Sequence, residues 1–255
     1  MKALTLPLLL LAASIQILTA QTFRHAATDH GGIIRCDTTQ KTIHLVFTAH
    51  EFGDGADTIT AVLARHRAHA SFFFTGDFYR TPGQARVIRA LKEAGHYLGG
   101  HSDKHLLYAP WEKRDSLLVT KKEFLDDIEG NYRAMQKFGI TKKTSPVFLP
   151  PYEWYNDSVS AWCRQAGLRL VNFTPGTGSN ADYTIPQENN YVPSDSIFQR
   201  ILRYEASKSA GLNGFILLLH FGTHPDRTDK MYNRLDALMT ELERRGYRFR
   251  RVTDC

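Results

Sequence analysis

The sequence predicts an α/β protein built on a parallel sheet, and three observations carry that expectation. Strand-type apolar runs alternate with helical patterns along most of the chain. Capping residues and glycines punctuate the helical segments at both ends. No internal repeat and no Pro/Gly/Ser-rich linker breaks the 255 residues, so one domain is expected. Such alternation makes βαβ units, with the sheet either open or closed as a barrel, and in both cases ligands bind at the C-terminal strand ends.

Strands are expected at 43–47, 70–75, 147–148, 168–173, 215–219 and 247–252. Between them, Thr81-Pro82 opens a helix that stops at Gly95. Thr120 and Glu123 form a capping box for a helix carrying Phe124, Ile128, Tyr132 and Met135, which closes near Gly139. Asn156 or Asp157 caps a helix ending at Gly167. Ser194 or Asp195 starts one with Ile197, Ile201 and Leu202 on one face. The last helix runs from about Asp229 through Leu235, Leu238 and Leu242 to Gly246.

Hydrophobic, charged and aromatic fractions of 42%, 23% and 11% exclude a disordered or low-complexity chain. A net charge of +6, from 32 basic and 26 acidic residues, is spread along the sequence, so no nucleic-acid partner is expected. Residues 1–20 combine one positive charge, a short apolar core and the small-x-small end Leu18-Thr19-Ala20, which reads as a signal peptide preceding a domain over 21–255. The mature protein is then exported, periplasmic or extracellular, without stable membrane insertion, and a monomer. Export permits disulfides. Cys163 lies on an apolar helical stripe and is expected as a buried free thiol. A Cys36–Cys255 bridge is a hypothesis, set by the position of both residues near the ends of the mature chain.

Four constellations hold the candidate chemistry. His101 and His105, i and i+4 after two glycines, can project from one helical turn and share a metal. The strand at 43–47 runs into His50 and Glu51, and one carboxylate plus two His is a common facial set for a divalent ion. Asp54 and Asp57 in the same loop read more simply as a turn residue and a helix cap. Pro150-Pro151-Tyr152-Glu153-Trp154-Tyr155 is a stiff aromatic loop suited to sugar rings. His220 ends a wholly apolar strand, where a titratable side chain meets the ligand face.

In this order the four elements resemble the polysaccharide deacetylase family (NodB homology, carbohydrate esterase family 4). The likeness covers nearly all of the mature chain. His101-Ser102-Asp103-Lys104-His105 matches the family's His-Ser/Thr-x-x-His motif fully. Ala70 to Gly76, Pro150-Pro151-Tyr152 and Phe215 to His220 look like its second strand, third motif and last motif. Asn180-Ala181-Asp182-Tyr183 resembles its Asp-Trp motif weakly. The family's Thr-Phe-Asp-Asp-Gly is altered: His50 stands at the first Asp and Glu51 at the second, with Asp54 as the rival carboxylate. Leu149 replaces the family's Arg.

The resemblance implies an irregular single-domain (β/α)7-type barrel and a metal-dependent hydrolase that removes N- or O-linked acetyl groups from a carbohydrate. Glu51, His101 and His105 would hold the metal, Zn2+ first, with Co2+ or Ni2+ as alternatives. His50, His220 and the Tyr152 backbone N–H would be catalytic. Trp154, Tyr155, Trp111 and Leu218 would meet substrate. The altered first motif also motivates an alternative, a glycan-binding protein that keeps the barrel without turnover.

Overall fold

The computed structural model describes residues 25–255. The signal peptide expected over 1–20 lies outside the described residues. In chain order the elements are β1 (Ala27–Asp29), β2 (Gly32–Arg35), β3 (Thr42–Ala49), α1 (Ala56–Arg65), β4 (Ser71–Phe74), α2 (Gly76–Arg80), α3 (Ala85–Glu93) and β5 (Tyr97–Gly100). They continue with α4 (Lys121–Gln136), β6 (Val147–Phe148), α5 (Asp157–Gln165), β7 (Arg169–Leu170), α6 (Ser194–Ser207), β8 (Phe215–His220), α7 (Leu235–Arg244) and β9 (Arg248–Arg250).

The sheet order is β1-β2-β8-β3-β4-β5-β6-β7, with β9 also paired to β3. From β8 through β7 all pairings are parallel, whereas β1–β2 and β2–β8 are antiparallel. The sheet curls until its far ends meet. Ile33 and Val171 form an isolated bridge, and Asn172 N–H donates to Ile33 C=O at 2.7 Å. The result is a single α/β domain with a curled, mostly parallel sheet. The β1–β2 hairpin was not expected, and the expected strand at 168–173 shrinks to β7. Two expected helix starts, at Thr81-Pro82 and Asp229, instead enter through the 3₁₀ turns Pro82–Gln84 and Met231–Arg234.

Strand alternation builds two apolar layers. Leu45, Phe47, Phe72, Phe74, Leu217 and Leu219 face the helices. Their neighbours Val46, Phe73, Ile216 and Leu218 point into the barrel with Ile33, Val147, Leu149 and Val171. Each fully buried Phe or Leu contributes roughly 1.5–3 kcal/mol. Small residues let the strands close: a Cβ on Gly99 would sit 2.5 Å from the Phe73 ring, and one on Gly100 would sit 2.6 Å from Asn131 Oδ1. Cys36 and Cys255 are joined as a disulfide, and Cys163 is a buried free thiol. No described helix is long and apolar enough to cross a membrane.

Candidate active site

The C-terminal strand ends open into a cavity of about 530 Å³. His50 and Glu51 reach it from the end of β3, His101 and His105 from the loop after β5, Tyr152 and Glu153 from the loop after β6, and His220 from β8. Trp111 and Tyr183 stand at its rim, about half exposed at 53% and 47%. Thr48 Oγ1, which lines it, is buried and has no hydrogen-bond partner among the described residues.

The His101–His105 segment is not a helical turn. Ser102 and His105 have φ of 72° and 57°, so the chain coils through left-handed positions. Helix α4 holds this irregular loop from beneath. Buried Asp127 accepts the N–H groups of Asp103 and Lys104, both at 3.1 Å, and the Tyr108 hydroxyl at 2.7 Å. Asn131 accepts the His101 N–H at 2.9 Å and donates to Phe74 C=O at 3.2 Å. The His101 Nδ1–H donates to Leu149 C=O at 2.8 Å, which leaves Nε2 with its lone pair. Burial, with the charges of the neighbouring imidazoles, pushes His101 down to about 3 and His105 to about 2. Both rings are therefore neutral donors at ordinary pH.

The rings of His101 and His105 lie 5.2 Å apart at a 57° tilt. His50 stacks on His105 at 4.8 Å with an interplanar angle of 8°, and its Nδ1 is hydrogen-bonded to Thr75 Oγ1 at 3.1 Å. Lone pairs lie in the ring planes, so stacked rings do not aim at one point. Glu51 is exposed at the rim. Asp54, the rival carboxylate, is committed elsewhere: it accepts from Thr223 N–H at 2.8 Å and from the Tyr232 hydroxyl at 2.7 Å, and pairs with Lys230 at 2.9 Å. Among the described residues no three His, Cys, Asp or Glu side chains are gathered to hold a metal ion. The expected donors line one cavity, but as arranged they do not fit a three-ligand centre.

His220 has a firm partner. Its Nδ1–H donates to Asp182 Oδ1 at 2.6 Å, and its backbone N–H donates to Asp182 Oδ2 at 2.9 Å. Asp182 is 1% exposed, on the 3₁₀ turn Ser179–Tyr183. Burial lowers the His220 imidazole, but the charge and hydrogen bond of Asp182, with the charge of Glu153, outweigh it and hold His220 above its ordinary value.

The aromatic residues divide. Trp111 packs edge-on to Tyr152 at 6.0 Å and against Trp154 at 5.4 Å, and Tyr152 reaches His105 at 4.4 Å. Trp154 is partly buried and donates its indole N–H to Pro110 C=O at 3.3 Å. Tyr155 and Leu218, both expected at the substrate, are fully buried and do not line the cavity. The Tyr155 hydroxyl donates to Asp29 C=O at 2.8 Å, and Leu218 is part of the barrel interior. Glu153 is the residue the sequence did not single out. Burial raises its carboxyl to about 7, with the His220 charge pulling down and the Asp182 charge pushing up.

Fold and cavity together define an α/β barrel with a buried carboxylate–imidazole pair and an aromatic rim at its strand ends. Residues 35–171, more than half of the chain, match the polysaccharide deacetylase family, and the chain belongs to that family. It is 24% identical over 219 residues to the peptidoglycan-N-acetylmuramic acid deacetylase PdaA of Bacillus subtilis, covering 86% of this chain and 72% of that protein. The PdaA structure superposes with a TM-score of 0.67 at 23% identity, covering 88% of this chain and 84% of PdaA. BA3943, a CE4 family pseudoenzyme from Bacillus anthracis, superposes with a TM-score of 0.68 at 18% identity, covering 89% of this chain and 69% of its own.

Proposed function

We propose that the chain, exported and monomeric, hydrolyses acetyl groups, N- or O-linked, on a polysaccharide or oligosaccharide. The observation that carries this reading is the Asp182–His220 pair at the cavity. A buried carboxylate orients the imidazole and favours its charged form, which suits it to protonate the departing nitrogen or oxygen. His50 orients the attacking water with the ring nitrogen that Thr75 does not engage. The Tyr152 backbone N–H meets the developing oxyanion. Trp111 and Tyr152 provide aromatic surface against which a sugar ring packs, with Trp154, which does not itself line the cavity, packed against Trp111. The likeness to a muramic acid deacetylase supports an acetamido substrate. The donors expected for Zn2+ do not form a three-ligand set here, and the chain's own groups carry the proton transfers.

Acetate release from N-acetylglucosamine oligomers and from acetylated xylan, measured with chelator and with added Zn2+, tests the reading. Release on either substrate supports it. Glycan binding without release under every condition overturns it in favour of a second reading, a glycan-binding protein without turnover. Two observations favour that second reading: His50 stands where the family carries an aspartate, and the metal donors are not gathered.

A further inference from the structure

We propose that Glu153 is a catalytic residue of this cavity, taking the proton of the attacking water while His220 protonates the leaving group. This rests on the deacetylase reading and adds to it the group that receives the water proton. Three structural facts point to Glu153. Its side chain lines the same cavity as His220, His101 and His105. Among the described residues its carboxyl has no side-chain hydrogen bond and no ion pair, whereas Asp182 and Asp54 are engaged by two or more donors each, and Glu51, which also lines the cavity, is exposed at the rim. Its backbone is fixed on both sides: the N–H donates to Pro150 C=O at 3.1 Å, and the C=O accepts from Asn172 Nδ2 at 2.7 Å.

The local backbone is the third fact's cause and its cost. Tyr152 and Glu153 are consecutive non-glycine residues at φ 58° and 54°. Each departs from the preferred regions, a strain of order 1–3 kcal/mol per residue that persists where surrounding structure over-determines it. This kink, placed directly after Pro150-Pro151, presents both side chains to the cavity. The groups that act on the carboxyl are His220 from β8 and Asp182 and Tyr183 from the 3₁₀ turn. Poised at about 7, the carboxyl is substantially ionised at neutral pH and basic enough to accept a proton.

The step balances. A water O–H bond breaks, its proton passes to the Glu153 carboxylate, and the oxygen bonds to the acetyl carbonyl carbon as the C=O π pair moves onto the carbonyl oxygen, to return when the leaving group departs. The carbon–nitrogen or carbon–oxygen bond then breaks, and its electron pair takes the proton of His220. Acetate leaves, Glu153 releases its proton to solvent, and His220 recovers one.

The test is acetate release across pH by the wild-type chain, Glu153→Gln and Glu153→Asp, with glycan affinity and thermal midpoint measured for each. Glu153→Gln is near-isosteric and is expected to lower kcat/KM by about 10²–10⁴-fold with unchanged midpoint and affinity. The acidic limb of the wild-type profile, rising through about 7, should vanish with it. Glu153→Asp should restore part of the rate and a shifted limb. A Gln variant within threefold of an active wild type, or one that keeps the limb, overturns the assignment and leaves the deacetylase reading standing. A wild type that releases no acetate overturns both.

Discussion

His220 shows what one residue's surroundings decide. Its position directly after the apolar run 215–219 was enough to mark it in the sequence, because a polar side chain there has only the strand end to occupy. Its partner Asp182 was legible only as a weak motif, since nothing local to 179–183 announces a carboxylate aimed across the barrel. His220→Asn should cut kcat by about 10²-fold or more with KM little changed, as read by acetate release. The pH sign follows from the raised imidazole: the acid must carry its proton, so the rate falls as pH rises through its folded value. Asp182→Asn removes the charge that does the raising, so the alkaline limb should move to lower pH. Tyr155 and Leu218 were misplaced for a common reason. Motif proximity does not say which face of a strand or loop a side chain takes, and period-two alternation sends Leu218 into the barrel.

Helix α4 is the best-read element, its capping box present as expected. Its apolar face was legible from the 3.6-residue period. Its buried polar pair, Asp127 and Asn131, was not, because that period marks only what is hydrophobic. Yet these two residues shape the histidine loop, which their hydrogen bonds replace the need for a helical turn to hold. Asn131→Ala leaves the His101 N–H and Phe74 C=O without a side-chain partner. These two groups keep a backbone hydrogen bond to each other at 3.2 Å, so the cost is that of two lost side-chain hydrogen bonds, roughly 1–3 kcal/mol together, which denaturant unfolding should show. Leucine at 131 should do no better, since it fills space without bonding. An unchanged unfolding midpoint would remove α4 from this role.

At the scale of the whole molecule, the parallel order and the position of the cavity followed from strand–helix alternation. The closure did not, because β2 is short, pairs antiparallel to β8 and meets β7 through one bridge. The Cys36–Cys255 hypothesis agrees with the structure, where the disulfide spans 219 residues. In the chain-entropy model a loop of that order constrains the unfolded state by about 5 kcal/mol, an upper bound in practice. Replacing both cysteines with serine should therefore lower the thermal midpoint. Thiol counting on the denatured wild type should give one reactive group before reduction and three after.

The meeting of β2 with β7 bears on how the molecule breathes. Ile33 and Val171 share a single bridge, helped by Asn172 N–H on Ile33 C=O and by the Thr174 hydroxyl on Ile34 C=O at 2.5 Å. Every parallel neighbour from β8 to β5 is held by several paired residues. With β2–β8 and β5–β6, which also register one pair each, the Ile33–Val171 bridge is among the thinnest fastenings of the ring, and a ring fastened this unevenly opens first where it is fastened least. Deuterium should accordingly enter the amides of 171 and 172 well before those of 45–48.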